Sequence, residues 1–282
     1  MLRHRVYTAL SVVLRLLAAA GLVLIIFVGG VSEAYAHAGN LQTAYIVAVA
    51  VAALLILLSA EVVIHELGHA IAALCTNMKV VSFRLGWLWI GREGVKLCRA
   101  NAAGETAVVP RSPRYVRARY FAVTLAGPLF ELLYGAAVLI LYCMLPMSPV
   151  LLVFVLTMPF ALCEGVLALL PAQPDAGRTD GAVLLGLIRM DAETDVTLRV
   201  LTAQAMLRKG SYAALPEDLL FGAPVVREDS RAFAALTFLQ YNYRKETGDP
   251  DAAARALARL ESIADFLTEE ERDFVQKEKN PA

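Results

Sequence analysis

The apolar positions of this chain fall into four long runs separated by polar or basic connections, covering residues 6–28, 41–75, 120–145 and 149–170. A helix needs about 20 apolar residues to cross a hydrocarbon layer ~30 Å thick, so each run predicts a membrane helix. Arg15 interrupts the first run and is expected to snorkel toward the near surface. Pro159 lies inside the fourth, where a kink is tolerated if neighbours satisfy the freed carbonyl. Between the second and third runs the period changes. Lys79-Val80-Val81-Ser82-Phe83-Arg84-Leu85 roughly alternates, Trp87-Leu88-Trp89-Ile90 is aromatic and branched, and Gly86, Gly91, Gly94 and Gly104 punctuate. This predicts short strands or hairpins at the membrane surface, with the tryptophans in the interfacial belt; a plain amphipathic loop is the bland alternative. After Met190 the spacing is helical and water-soluble, over 194–209 up to Gly210, over 231–247 up to Gly248-Asp249-Pro250, and over 251–263.

The first run has a second reading. Arg3, His4, Arg5 and Arg15 suit a signal-peptide basic region, residues 16–28 its apolar region, and Ala34-Tyr35-Ala36 a cleavage site. The long basic stretch and the span that follows at once favour a retained anchor.

Composition agrees with the runs. Of 282 residues, 58% are hydrophobic and 18% charged, with mean hydropathy +0.59. Soluble domains average about 45–50% apolar and about 25% charged, so a soluble secreted scaffold, a disordered chain and a nucleic-acid binder fit poorly. The expected fold is mainly α: a polytopic bundle of about four transmembrane helices, a small membrane-surface β element and a C-terminal soluble helical domain. Net charge is zero, but residues 1–188 carry 13 basic and 9 acidic side chains and residues 189–282 carry 13 and 17. Basic residues crowd 76–119 and are absent from 32–40 and 146–149, which places both termini and the 76–119 connection on the cytoplasmic side of a cell membrane. The four cysteines show no CxxC pairing, so reduced thiols are expected. The predicted domains are an N-terminal anchor or signal with its outer loop (1–40), a membrane-embedded core (41–190) and a cytoplasmic helical domain (191–282).

The specific chemical signal is His65-Glu66-Leu67-Gly68-His69. Histidines at i and i+4 share one helix face, about 6 Å apart along the axis, and both can ligate one Zn²⁺. The glutamate between them suits a general base toward water on that metal. The bland alternative is a helix end with two incidental histidines. Ionisable groups at membrane depth are costly, however, and the chain has only 4 histidines, half of them here. From Leu41 to His65 is about 36 Å of straight helix, so the motif lies toward the cytoplasmic end of its span. A catalytic zinc wants a third protein ligand. His4 and His37 are poorly placed, which leaves Glu61, Glu131, Glu164, Asp175 or Asp180. Glu61, one turn before His65, suits orienting a ligand.

Glu61-Val62-Val63-Ile64-His65-Glu66-Leu67-Gly68-His69-Ala70 resembles the active-site helix of site-2 protease-type intramembrane metalloproteases, the M50 peptidases. Ala126-Gly127-Pro128-Leu129-Phe130-Glu131 with Gly135 resembles that family's central helix. Leu169-Leu170-Pro171 followed by Thr179-Asp180-Gly181 resembles its final signature. The resemblance covers roughly residues 55–190. It implies Zn²⁺ held by His65, His69 and Asp180, with Glu66 as general base. It also implies a membrane-spanning protein as substrate and a lipid bilayer as surroundings, with no nucleic acid. Glu131 stands where the family often has Asn. Asp180 is nine residues after Pro171 and Asp175 four, where many members place the ligand five after; the Asp-Gly dipeptide and the helix predicted behind it favour Asp180. Residues 76–105 suit gripping an unwound substrate strand by edge pairing.

The tail's helix, Gly-Asp-Pro turn and alanine-rich helix resemble one tetratricopeptide-type hairpin, without a 34-residue repeat. It is expected to bind a cytoplasmic protein or peptide partner; packing beneath the membrane domain to stabilise it is the bland alternative. The rival functions are an inactive membrane scaffold using that tail, and a metal transporter; a transporter calls for more polar residues along consecutive spans than Glu131 and Glu164 supply.

Overall fold

The computed structural model describes residues 4–25, 61–91, 94–97, 104–145, 149–173, 178–208 and 210–279. The Ala34-Tyr35-Ala36 motif, the loop 32–40, residues 41–60 of the second run, the turn residues 146–148 and Asp175 lie outside the described residues. The chain is mostly helical with one small antiparallel sheet. Its helices are α1 (His4–Ile25), α2 (residues 61–75), α3 (Val116–Met144), α4 (Pro149–Leu169), α5 (Asp180–Arg189), α6 (Ala192–Leu207), α7 (Glu217–Phe221), α8 (Arg231–Glu246), α9 (Pro250–Ser262) and α10 (Glu269–Lys279). The strands β1 (Met78–Leu85), β2 (Leu88–Gly91), β3 (Gly94–Leu97) and β4 (Gly104–Pro110) lie between α2 and α3. The chain divides into two units, 1–76 with 80–108 and 120–185, and 77–79 with 109–119 and 186–282.

In the first unit α1 packs on α4 through Ala18, Cys163 and Leu167. Arg15 meets a partner within the protein. Its guanidinium grips Glu164 at 2.7 and 3.1 Å, because a carboxylate on the neighbouring helix satisfies the charge without a long reach to the surface. α3 and α4 meet through Val138, Leu151, Val155 and Met158, with Tyr134 and Thr157 sharing a hydroxyl contact. Among the described residues, α3 is the one helix long and apolar enough to cross a membrane.

The sheet has the order β3-β2-β1-β4, which replaces the loop alternative. Its register pairs Phe83 with Ile90, Leu85 with Leu88, Leu88 with Leu97 and Ile90 with Val95, so these apolar side chains share one face. The other face carries Arg84, Trp89 and Lys96, with the Lys96 ammonium 5.8 Å from the Trp89 ring. Gly94 closes the second hairpin at φ +103°, a conformation open to glycine.

The second unit is built on local signals. Asp191, Ser230 and Asp249 cap α6, α8 and α9 by accepting from Thr194, Phe233 and Ala252 backbone N–H groups. Pro250 opens α9 where a missing N–H costs nothing. α8 is buried on two sides. Leu236, Leu239 and Tyr243 join Val196, Val200 and Leu220, while Ala234 and Tyr241 join Ala253, Leu260 and Val275. Within the same unit Arg117 caps the end of α5, donating to the Leu187 and Ile188 carbonyls.

Candidate metal centre

α2 and α3 approach closely at a glycine. A methyl group on Gly68 would lie 2.6 Å from the Ala126 carbonyl oxygen, so any larger residue would push the helices apart. This brings a stripe of α3 against the histidine face of α2. Val123, Gly127 and Glu131 are spaced i, i+4, i+8 and lie on one side of α3. His69 Nδ1 donates to the Val123 carbonyl at 2.7 Å, and His65 Nδ1 lies 2.9 Å from Glu131 Oε2. A carbonyl only accepts, so the Nδ1 proton of His69 is fixed and its Nε2 carries the lone pair. The two Nε2 atoms lie 3.0 Å apart. Gly127 makes the space beside them, for a Cβ there would stand 2.5 Å from His69 Nε2 and 2.8 Å from His65 Nε2.

The third side chain comes from a distant element. Asp180 is the first residue of α5, and its Oδ2 lies 2.9 Å from His65 Nε2 and 3.7 Å from His69 Nε2. Its neighbours hold it there. Thr179 Oγ1 donates to the Leu170 carbonyl at 2.6 Å. Gly181 lets α5 begin against the end of α4, since a Cβ at that position would overlap the Leu169 carbonyl.

His65, His69 and Asp180 thus offer three ligand atoms, all within 4.8 Å of one another. Two imidazole nitrogens and one carboxylate oxygen are the donor set of a catalytic zinc with a position left open, and the Gly127 recess leaves room on their shared side, so the residues fit the ion. Glu66, on the same helix, is 5% exposed. Thr106 of β4 donates its hydroxyl to Glu66 Oε2 at 2.5 Å, and a Cβ on Gly104 would lie 2.5 Å from Glu66 Oε1, so the strand closes over this carboxylate.

The remaining candidates divide. Glu164 is taken by Arg15, and Asp175 is outside the described residues. The contact to His65 that helical spacing suggested for Glu61 is made by Glu131 instead, because Nδ1 faces α3 and not the preceding turn of its own helix. Glu61 is buried with Oε1 unpartnered, and nothing in the structure explains it. The sequence reading missed Thr106 and Gly127 as parts of the site; the signal available for Thr106 was Gly104 followed by a short strand.

A family model described as Peptidase family M50 matches residues 53–268. The match spans α2, the sheet, α3, α4 and α5 and runs past residue 190 into the helices of the second unit, further than the motif resemblance reached. No curated protein and no solved structure matches the chain.

Proposed function

The chain belongs to peptidase family M50, a family of membrane-associated metallopeptidases, and from that membership we propose that it is an intramembrane zinc metalloprotease of the site-2 type. The observation that carries this reading is the convergence of His65 Nε2, His69 Nε2 and Asp180 Oδ2 beside the buried carboxylate of Glu66. His65, His69 and Asp180 would hold the ion, which would supply Lewis acidity to a peptide carbonyl and to water. Glu66 takes a proton from the attacking water, then returns it to the departing amine. The Val123 carbonyl holds Nδ1 of His69, which would leave its Nε2 for the ion.

The bilayer setting rests on α3 and on family membership. In this reading α1, the apolar run 41–75, α3 and α4 supply four spans with both chain ends cytoplasmic, and residues 41–190 form the catalytic core. The substrate is a membrane-spanning protein whose helix unwinds to expose its amides. The sheet's edge position for β4, together with its hold on Glu66, supports that edge as the line along which the extended substrate docks. Residues 191–282 form a cytoplasmic helical domain that selects substrates through a protein or peptide partner.

The test compares membrane-protein cleavage products from cells carrying wild-type or Glu66→Gln protein. Wild-type cells yield fragments absent from the variant, while both purified proteins hold equal zinc. Identical fragments from the two would transfer the activity elsewhere and leave the chain a scaffold.

A further inference from the structure

We propose that Glu131 is a positioning residue for the metal centre, acting through His65. Its carboxylate accepts a hydrogen bond from Nδ1–H, locks the tautomer and ring plane, and makes Nε2 a stronger donor to the ion. This deepens the metal reading above and rests on it. The residue is 2% exposed, and Oε2 meets Nδ1 at 2.9 Å, on the opposite edge of the imidazole from Nε2. Glu131 therefore reaches the ring and not the point where His65, His69 and Asp180 converge, and it is not one of the three clustered ligands.

Three elements fix it. Its own helix carries it four residues beyond Gly127, on the stripe that faces α2. Gly165 of α4 packs over it, leaving space so tight that a Cβ there would stand 3.2 Å from Glu131 Cβ. His65 closes the third side. A carboxylate among apolar helices is costly unless its partner repays the desolvation, and His65 is that partner. The two histidines are also treated unequally: His69 donates to the neutral Val123 carbonyl, His65 to an acidic side chain. Partners of metal-bound imidazoles commonly govern metal affinity by about 10–100-fold. The anionic partner makes His65 the more basic of the two ligands and adds a second negative charge, beyond Asp180, near a divalent cation.

Cobalt(II) titration of the full-length protein in detergent, followed by visible absorption and by chelator competition, tests this without any substrate. Glu131→Gln keeps the shape and an acceptor oxygen but removes the charge, and weakens affinity about tenfold; Glu131→Leu removes the acceptor and weakens it toward a hundredfold. In both, the intensity of the visible band stays that of the wild type, because the ligand set is unchanged. Should Glu131→Leu not fold, Glu131→Gln alone decides. Wild-type affinity in folded Glu131→Gln overturns the proposal. A change in band intensity as large as that from Asp180→Asn also overturns it, since it would make Glu131 a ligand. Wild-type protein that takes up no cobalt(II) or zinc overturns the metal centre itself.

Discussion

Thr106 and Glu66 are separated by 40 residues and share a short hydrogen bond, the hydroxyl of β4 donating to the carboxylate of α2. The same hydroxyl lies 3.3 Å from the Glu66 backbone carbonyl. One oxygen of the proposed base is thus restrained.

Removing that restraint should slow turnover without emptying the site. Thr106→Val is expected to lower kcat by roughly ten- to a hundredfold, the scale on which misplaced catalytic groups lose rate, while zinc content stays unchanged. Thr106→Ser keeps the hydroxyl and should retain most of the rate. Equal rates in the valine and serine variants, measured on a cleaved membrane substrate, would assign Thr106 to packing alone.

Gly127→Ala tests the recess beside the imidazoles. In a helix interior this change ordinarily stabilises by about 0.5–1 kcal/mol. Here the added methyl would stand 2.5 Å from His69 Nε2. The variant should therefore fold with unaltered helical content and lose most of its zinc, read by metal analysis of the purified protein. Full zinc occupancy would show that the ion sits away from this glycine.

Asp180→Asn should lower zinc content more than Asp175→Asn. Asp180 Oδ2 is 2.9 Å from His65 Nε2, and Thr179 and Gly181 hold its backbone in place. Metal content of the two purified variants decides, and the reverse ranking would move the ligand role to Asp175.

The tail carries a pH-dependent tie. Glu278 accepts from the Lys245 ammonium at 2.6 Å and the Tyr241 hydroxyl at 2.8 Å, and these bonds, Lys245 first, hold its carboxyl below the usual glutamate range. A lowered carboxylate stabilises the fold fully above the unfolded value of about 4.3 and loses that contribution as pH falls through the folded value. Acidification below about pH 4 should speed amide hydrogen exchange in α8 and α10 of the full-length protein more than in Glu278→Gln. Equal pH responses in the two proteins would remove Glu278 from the account.

Much of the molecule was legible without coordinates because its causes are local. The capped helices of the tail follow from Asp191, Ser230, Gly248-Asp249-Pro250 and the spacing behind them. The pairing of His65 with His69 follows from the helical repeat alone, whereas the helix expected to run up to Gly210 ends at Leu207. The strands between α2 and α3 follow from alternation, although their order and shared apolar face do not.

What the tertiary structure decided are contacts between residues far apart in the chain. Helical spacing pointed to Glu61 as the partner of His65, but which carboxylate meets Nδ1 depends on the helix that crosses there. The close approach at Gly68 brings Glu131 to it. Arg15 found Glu164 across 149 residues. The Asp-Gly dipeptide already favoured Asp180, but its approach to His65 depends on α5 beginning against the end of α4. Hydrophobic period sets which face of an element turns inward. It does not set which element that face meets, because that choice is made by packing summed over the whole core.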